Sequence, residues 1–242
     1  MLEHLYPGLR LITFDLDDTL WPCHETIMRA EDALFEWLQT RAPGLTEAHS
    51  VSSMREHRRE LARANPHLMH DLNLLRTRHL EVLLEESGHD ISLAVMATEY
   101  FQEHRNRVEP FDDVPEVLQQ LARHYTLISV TNGTSEIDKT PLAGLFHHSL
   151  TAAQVGHAKP HPAMLEEALK LADAKPGESL HIGDDPKRDV LPAQALGMQA
   201  VRVVRVDTKF SCGVEEEVET PDETPDVLHI NSLHELFNEI MD

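Results

Sequence analysis

Residues 9–18 read LRLITFDLDD, a short apolar run that leads into three aspartates. The apolar part is partly β-branched, which predicts a buried strand at about 10–15 followed by an acidic loop. Three later stretches have the same character, and polar or glycine-containing residues follow each of them. They lie at 127–130, 179–182 and 200–204. We therefore predict four parallel strands.

Helical periodicity lies between the later strands, at 113–124, 162–172 and about 187–196. Strands that alternate with helices of this length are typical of a doubly wound α/β fold with a parallel sheet. Such sheets bind ligands at the carboxyl ends of their strands. The loops that follow the predicted strands are therefore the first place to look for a functional site.

Residues 22–108 interrupt this alternation, because they have helical periodicity and little strand signal. The predicted helices lie at about 24–40, 50–64, 71–87 and 92–107. This pattern predicts an all-helical domain, 22–108, inserted into a Rossmann-like core made of 1–21 and 109–242.

The composition favours a folded and strongly acidic protein. The chain has 242 residues, 41% of them hydrophobic, and a formal charge of −21. This charge disfavours binding to nucleic acid or to anionic membranes. The chain lacks an apolar segment of ~20 residues and a signal-like N-terminus, so we expect a cytoplasmic location. A phosphate site on such a surface would need its own local positive charge.

The C-terminal part adds two expectations. Residues 215–226 are acidic and contain two prolines, which predicts a solvated loop. Ser232 and Glu235 have the spacing of a capping box, which predicts a final helix that extends to about Ile240.

Polar residues with chemical potential follow the predicted strands. Asp15 and Asp17 follow the first strand, Thr131 ends the second, and Asp184 follows the third. Lys159 lies in a loop between the second and third of these strands. Taken alone, the aspartate-rich turn equally fits a structural turn or a simple cation site. Since strand ends converge at one edge of a parallel sheet, the whole set predicts a shared site.

These stretches, in this order, resemble the four motifs of haloacid dehalogenase superfamily hydrolases. The resemblance covers about 10–20 and 110–205, and it implies a role for five side chains. They are the nucleophile Asp15, the general acid and base Asp17, the phosphoryl-binding hydroxyl of Thr131, the cation Lys159 and the magnesium ligand Asp184.

The resemblance also implies how Mg²⁺ would be held. The ligands would include the carboxylates of Asp15 and Asp184 and the backbone carbonyl of Asp17. Asp189 matches a later acidic position, where it would orient the water molecules around the metal. Asp185 stays open between a direct ligand and a residue that orients such water.

The implied activity is a magnesium-dependent phosphatase with an aspartyl-phosphate intermediate. Asp17 favours a phosphatase over a dehalogenase, because displacement of a halide needs no acid and family dehalogenases lack this aspartate. Two alternatives remain on the same scaffold: a sugar phosphomutase, and a catalytically silent regulatory or binding protein. We expect a small phosphomonoester as the partner and a monomer or homodimer in solution.

The inserted helices resemble the mobile cap that many members of this superfamily carry. Residues 69–78, together with a tryptophan after the first motif, resemble a bacterial subgroup that acts on flavin mononucleotide and on a phosphorylated ribitylaminouracil. The candidate substrate contacts are Trp21, His70, Asp71, Arg76 and Asn132. Asp71 and Arg76 also fit a surface ion pair, and Trp21 also fits a packing contact.

Overall fold

The computed structural model describes residues 6–205 and 227–238. The described residues form two compact units. One consists of 6–22, 108–205 and 227–238, and it is called the core unit below. The other consists of 23–107, and it is called the helical unit.

The helical unit contains five α-helices. They are α1 (Cys23–Arg41), α2 (Pro43–Ala48), α3 (Val51–Ala64), α4 (Leu72–Glu86) and α5 (Leu93–Arg105). The four predicted helices are confirmed. The short helix α2 was not predicted, since six residues are too few to establish a period. Apolar side chains from α1, α4 and α5, such as Leu34, Leu83 and Phe101, build the core of this unit.

The core unit is built on a six-stranded parallel sheet. The strands are β1 (Leu11–Phe14), β2 (Thr126–Thr131), β3 (His148–Thr151), β4 (Ser179–Gly183), β5 (Gln199–Val203) and β6 (Leu228–Ile230). Their order in the sheet is β3-β2-β1-β4-β5-β6. The four predicted strands are confirmed. The sequence did not reveal β3 and β6, which are the short strands at the two edges.

Helices of the core unit cover both faces of the sheet. They are α6 (Val114–Leu121), α7 (Ala152–Val155), α8 (Ala163–Leu171), α9 (Leu191–Ala195) and α10 (Glu235–Asn238). Ile12 of β1 belongs to the same apolar cluster as Val117 of α6. Its neighbour Leu11 belongs to the cluster that contains Leu165 of α8. Alternate residues of the central strand thus face opposite layers, and the predicted doubly wound α/β fold is confirmed.

The helix predicted at about 187–196 has two parts, a π-turn at Pro186–Val190 and then α9. The carboxylate of Asp185 accepts hydrogen bonds from the backbone N–H groups of Lys187 and Arg188, at 2.7 and 2.9 Å. The wide turn therefore begins at a side-chain cap, a detail that the apolar period alone does not encode.

Half of the predicted C-terminal capping box is present. The Glu235 carboxylate accepts a hydrogen bond from the backbone N–H of Ser232 at 3.1 Å. The Ser232 hydroxyl instead donates to Asp113 at 2.8 Å. The predicted helix end at Ile240 and the predicted loop at 215–226 lie outside the described residues. Within the described ranges, every helix is too short or too polar to cross a membrane.

Candidate active site

Three neighbouring strands bring the predicted motifs to one edge of the sheet. Strand β1 lies between β2 and β4, and Phe14 is in register with Ser129 on one side and Ile182 on the other. The backbone N–H of Asp15 donates to the Ile182 carbonyl at 2.9 Å, so Asp15 continues the ladder by one residue. The residues just after β1 and β4 and at the end of β2 therefore lie side by side.

Lys159 joins two of these motifs through its ammonium group. Its Nζ atom lies 2.5 Å from Oδ1 of Asp15 and 2.6 Å from Oδ1 of Asp189. The Lys159 side chain is buried, with 3% of its surface exposed. This ammonium places a buried cation at the strand ends, but the two carboxylates that share it leave the group of three with a net negative charge.

Asn132 holds the loop that carries this lysine. Its Oδ1 atom accepts a hydrogen bond from the backbone N–H of Lys159 at 2.7 Å, and its Nδ2 group donates to the Lys159 carbonyl at 2.9 Å. The amide of Asn132 is therefore engaged with the protein backbone. Its predicted contact with substrate stays a prediction.

Two further groups contact the carboxylate of Asp189. His181 Nε2 lies 3.2 Å from Asp189 Oδ1, and the backbone N–H of Asp185 donates to Oδ2 at 3.1 Å. Thr13 Oγ1 in turn lies 2.8 Å from Nδ1 of His181. Gly183 makes room for this arrangement, because a Cβ atom there would lie 2.6 Å from the Cβ of Asp189. The carboxylate that anchors Lys159 thus depends on a glycine.

The ionisation of this cluster is uneven. Burial, the largest effect, raises the pKa of Asp15 to about 7, and the neighbouring Asp189 and Asp17 add to the rise that Lys159 opposes. Burial and the nearby charges of Asp15 and Asp189 also raise the pKa of Asp184 well above its usual value. Burial alone would raise the pKa of Asp189, but Lys159 and His181 outweigh it and lower that pKa. Asp189 is thus the preferred counter-ion of the lysine.

One carboxylate oxygen from each of Asp15, Asp184 and Asp189 lies within 4.8 Å of the other two. Oxygen donors of this kind are the ligands that Mg²⁺ prefers. Lys159 contacts two of these carboxylates, so the carboxylates outnumber the ammonium group. Burial is the largest cause of the raised pKa values of Asp15 and Asp184, and neighbouring carboxylates add to it. The residues present therefore fit a divalent cation.

The other two predicted metal residues have different surroundings. Asp185 uses its carboxylate to cap the π-turn and lies 3.5 Å from Arg188. Asp17 accepts a hydrogen bond from the indole N–H of Trp21 at 2.8 Å. The predicted roles of both residues toward a metal stay predictions. For Asp17 the predicted ligand is its backbone carbonyl, not its carboxylate.

Thr131 lies at the end of β2, almost fully buried. Its hydroxyl accepts a hydrogen bond from the backbone N–H of Gly133 at 2.9 Å, which leaves the O–H free to donate elsewhere. This geometry fits the predicted contact with a phosphoryl oxygen.

Three predicted substrate residues belong to the helical unit. Asp71 caps α4 by accepting a hydrogen bond from the backbone N–H of Leu74 at 2.9 Å. Arg76 is buried and donates to Glu31 at 3.1 Å, not to a surface partner. His70 is half-buried, just before this cap. The structure thus assigns Asp71 and Arg76 local contacts within this unit, and substrate binding by all three stays a prediction.

The sequence reasoning missed several residues that support the site. His181 is a buried polar residue between the apolar Leu180 and Ile182, and this placement could have signalled a hydrogen-bonded role. Thr19 donates to Asp184 at 3.2 Å, and its carbonyl accepts from Arg205 at 2.9 Å. Arg205 also pairs with Asp113 at 2.9 Å. No local pattern links residues so far apart in the chain.

Comparison with known proteins adds a family match. A family model described as haloacid dehalogenase-like hydrolase matches residues 9–197. The 5-amino-6-(5-phospho-D-ribitylamino)uracil phosphatase YigB of Escherichia coli strain K12 is 31% identical over 193 residues, which are 78% of this chain and 81% of that protein. A phosphoserine phosphatase of Thermus thermophilus is 32% identical over 168 residues, 67% of this chain and 64% of that protein.

Solved structures share the fold. The crystal structure of a 2-haloacid dehalogenase from Pseudomonas syringae pv. Tomato DC3000 superimposes with a TM-score of 0.81 at 33% identity, covering 96% of this chain and 99% of the other. The L-2-haloacid dehalogenase PA0810 superimposes with a TM-score of 0.64, covers 96% of this chain and all of its own, and is 22% identical, so it shows the shared fold alone. These comparisons include both phosphatases and dehalogenases, which differ in the chemistry of the leaving group.

Proposed function

Since the chain belongs to the haloacid dehalogenase-like hydrolase family, we propose that it is a magnesium-dependent phosphatase that forms an aspartyl-phosphate on Asp15. One observation carries the proposal. Asp15 contacts Lys159, and a second carboxylate, that of Asp17, lies two residues later in the chain. Named phosphatases among the relatives support it.

Asp17 separates this proposal from a dehalogenase. A halide leaves as a stable anion and needs no proton, whereas the alkoxide released from a phosphomonoester is a poor leaving group without one. Asp17 lies at the rim of the site, half-buried, and its carboxylate is held by Trp21. A positioned acid next to the nucleophile therefore favours a phosphatase, despite the likeness to a solved dehalogenase.

Charge is the main obstacle to the first step. An anionic Asp15 about 4 Å from a phosphate dianion is repelled by roughly 8 kcal/mol at an effective dielectric of 20. Lys159 lies against Asp15 and offsets part of this repulsion. Magnesium, held by the carboxylates of Asp15 and Asp184 and the backbone carbonyl of Asp17, would offset the rest by withdrawing charge from the phosphoryl oxygens.

The reaction then has two steps. An oxygen of Asp15 forms a bond to phosphorus while the ester bond to the leaving oxygen breaks, and Asp17 gives its proton to that oxygen. Asp17, now a carboxylate, takes a proton from water as the water oxygen attacks phosphorus and the bond to Asp15 breaks. The Thr131 hydroxyl and Lys159 hold the phosphoryl group through both steps.

For the substrate, we propose a small phosphorylated metabolite that resembles a phosphorylated riboflavin precursor. The support is the likeness to a relative named for a phosphorylated ribitylaminouracil, together with the resemblance of residues 69–78 to that subgroup. Flavin mononucleotide is the second candidate. A cytoplasmic location and a monomeric or homodimeric state stay predictions from the sequence.

A panel assay tests the proposed activity. Purified protein is incubated with flavin mononucleotide, sugar phosphates, nucleoside monophosphates and 2-chloroacids, with magnesium and then with EDTA. Release of phosphate that depends on magnesium supports the proposal, and preference for flavin mononucleotide supports the substrate class. Release of chloride would establish a dehalogenase, an isomerised sugar phosphate a mutase, and no reaction at all a silent scaffold.

A further inference from the structure

We propose that Trp21 is a positioning residue for proton transfer, which acts by holding the carboxylate of Asp17. The inference rests on the proposed function, in which Asp17 is the general acid and base. The indole Nε1 atom lies 2.8 Å from Oδ1 of Asp17. Trp21 is fully buried in the core unit, so its ring faces protein on all sides, which does not suit a surface for stacking a substrate.

The backbone around this hydrogen bond is fixed. The N–H of Asp18 donates to the Trp21 carbonyl at 2.8 Å, and Asp18 adopts a left-handed conformation with φ of 58°. The N–H of Leu20 donates to the Leu16 carbonyl at 2.8 Å. A non-glycine residue in the left-handed region costs free energy, and these contacts hold it there. Residues 17–21 thus form a tight loop in which tryptophan and aspartate must face each other.

The anchoring of the indole ring makes it a suitable support. The Trp21 side chain belongs to the same apolar cluster as Phe14, Leu16 and Leu20, which come from the strand and loop that carry the nucleophile. The position of the indole N–H is therefore set by the core and not by solvent. A hydrogen bond from a buried, packed group restricts the rotation of the carboxylate about its side-chain bonds.

The chemistry of the donor also selects one oxygen. An indole N–H can only donate, so Oδ1 of Asp17 acts as the acceptor and the transferable proton belongs on Oδ2. In the first step the bond between Oδ2 and its proton breaks as the leaving oxygen gains that proton. In the second step Oδ2 takes a proton from the attacking water. Loss of the indole N–H would remove this restraint on the carboxylate, and both transfers would lose alignment.

The leaving group provides the test. We compare kcat/KM of Trp21→Phe and wild type on p-nitrophenyl phosphate, whose leaving group needs no proton, and on the best alkyl phosphate of the panel. Because kcat/KM ends with formation of the phosphoenzyme, we expect a loss of about ten- to a hundredfold on the alkyl phosphate, which is part of the roughly 10²- to 10⁴-fold that general acids contribute. On p-nitrophenyl phosphate we expect little change in kcat/KM, a lower kcat, and a burst of p-nitrophenolate, since phosphoenzyme hydrolysis still needs Asp17.

Two controls separate positioning from packing. The chain's other tryptophan, Trp37, stacks on Tyr100 in the helical unit, and Trp37→Phe should leave both substrates unaffected. In an Asp17→Asn background, Trp21→Phe should cause no further loss of kcat/KM on the alkyl phosphate. If Trp21→Phe does not fold, the Trp37→Phe protein can be produced with a benzothiophene analogue of tryptophan. The analogue keeps the shape of residue 21 and removes its N–H.

The outcomes distinguish this inference from the proposed function. Equal losses on both substrates, or a further loss in the Asp17→Asn background, would mean that Trp21 only packs, and would overturn the inference while the phosphatase stands. If Asp17→Asn shows the dependence on leaving group and Trp21→Phe does not, the inference alone is wrong. A wild-type protein that hydrolyses no phosphomonoester would overturn both.

Discussion

Each unit of this protein contains a buried ion cluster, and the two clusters have opposite stoichiometry. In the core unit one ammonium, Lys159, serves the two carboxylates of Asp15 and Asp189. In the helical unit one carboxylate, Glu31, serves two guanidinium groups, at 2.6 Å from Arg58 and 3.1 Å from Arg76. The first cluster has carboxylates in excess, and the second has cations in excess.

The ionisation of the two clusters shows what this difference means. Burial opposes ionisation of Glu31, but Arg76 and Arg58 outweigh it and lower its pKa to about 2. Burial and neighbouring carboxylates instead raise the pKa of Asp15 to about 7. The carboxylate of the helical unit is thus satisfied within the protein, whereas the core cluster is short of positive charge. We infer that the helical cluster serves stability and that the core cluster is built for a metal and a phosphate.

Removal of the proposed nucleophile should give the largest effect. We expect Asp15→Asn to lower kcat by about 10⁴-fold or more, because the attacking oxygen is lost. The free energy of unfolding should stay equal or rise, since an amide relieves repulsion among buried carboxylates. Phosphate release and urea unfolding measure the two effects, with Asp138→Asn on an exposed turn as the control. Loss of the fold would mean that the core cluster is a structural one.

Displacement of the lysine's counter-ion should give the next largest effect. Gly183→Ala places a methyl group against Asp189 and should move the carboxylate that anchors Lys159. A shift of about 1 Å in a positioned group costs about 10²-fold in rate. The matched control is Gly177→Ala, because a Cβ atom there meets nothing within 4 Å. Similar kcat values for the two variants would show that the position of Asp189 does not matter.

A substitution in the helical cluster should change the free energy of unfolding. Glu31→Gln leaves two buried guanidinium groups without their counter-ion, which should lower the free energy of unfolding by about 3 kcal/mol. Glu56→Gln is the control, because Glu56 pairs with Arg59 and Arg63 at the surface, where solvent screens the pair and its loss should change the free energy of unfolding little. Equal losses in urea unfolding would contradict the contrast between buried and exposed pairs.

The two clusters should also differ in how their contributions to stability depend on pH. The folded pKa of Glu31 lies below its unfolded value of 4.5, so its contribution is lost as pH falls toward about 2. The folded pKa of Asp15 lies above its unfolded value of 3.8, so the metal-free protein should lose stability as pH rises from about 4 to about 7.

Magnesium should reverse the loss of stability that Asp15 causes as pH rises, and it should leave the contribution of Glu31 unchanged. Binding to the ionised carboxylates adds about 2.7 kcal/mol at 100 times the dissociation constant, and this gain should be largest at neutral pH. Thermal unfolding from pH 3 to 8, with and without magnesium, measures it. Glu31→Gln should weaken the acid limb and leave the response to magnesium intact. A magnesium effect that is equal at every pH would contradict the role assigned to the core carboxylates.

The sequence predicted the elements whose pattern is local. Strand β1 and the motifs after β1, β2 and β4 were readable because an apolar strand followed by polar residues is a short-range signal. Strand β3 was not, since His148-Ser149-Leu150-Thr151 has one buried apolar residue and pairs on one side only. Trp21 was expected to contact substrate or to pack, and its bond to Asp17 depends on a turn geometry that the residue types do not encode.

Long-range contacts were the other limit. Nothing in the spacing of Asp113, Thr19 and Arg205 indicates that they meet, because the sheet order brings them together. The pairing of Arg76 with Glu31 depends likewise on how two helices pack. Residue type and position after a strand thus predicted which candidate site residues lie together, whereas the residues that support them became visible only in three dimensions.

The covalent intermediate is the most direct test of the account. Wild-type protein with magnesium and p-nitrophenyl phosphate is quenched in acid during turnover, digested, and analysed by mass spectrometry. We predict that the peptide containing Asp15 gains one phosphoryl group, and that neither Asp15→Asn nor protein treated with EDTA shows this gain. Phosphate release without any phosphorylated peptide, or with the label on another residue, would contradict Asp15 as the nucleophile.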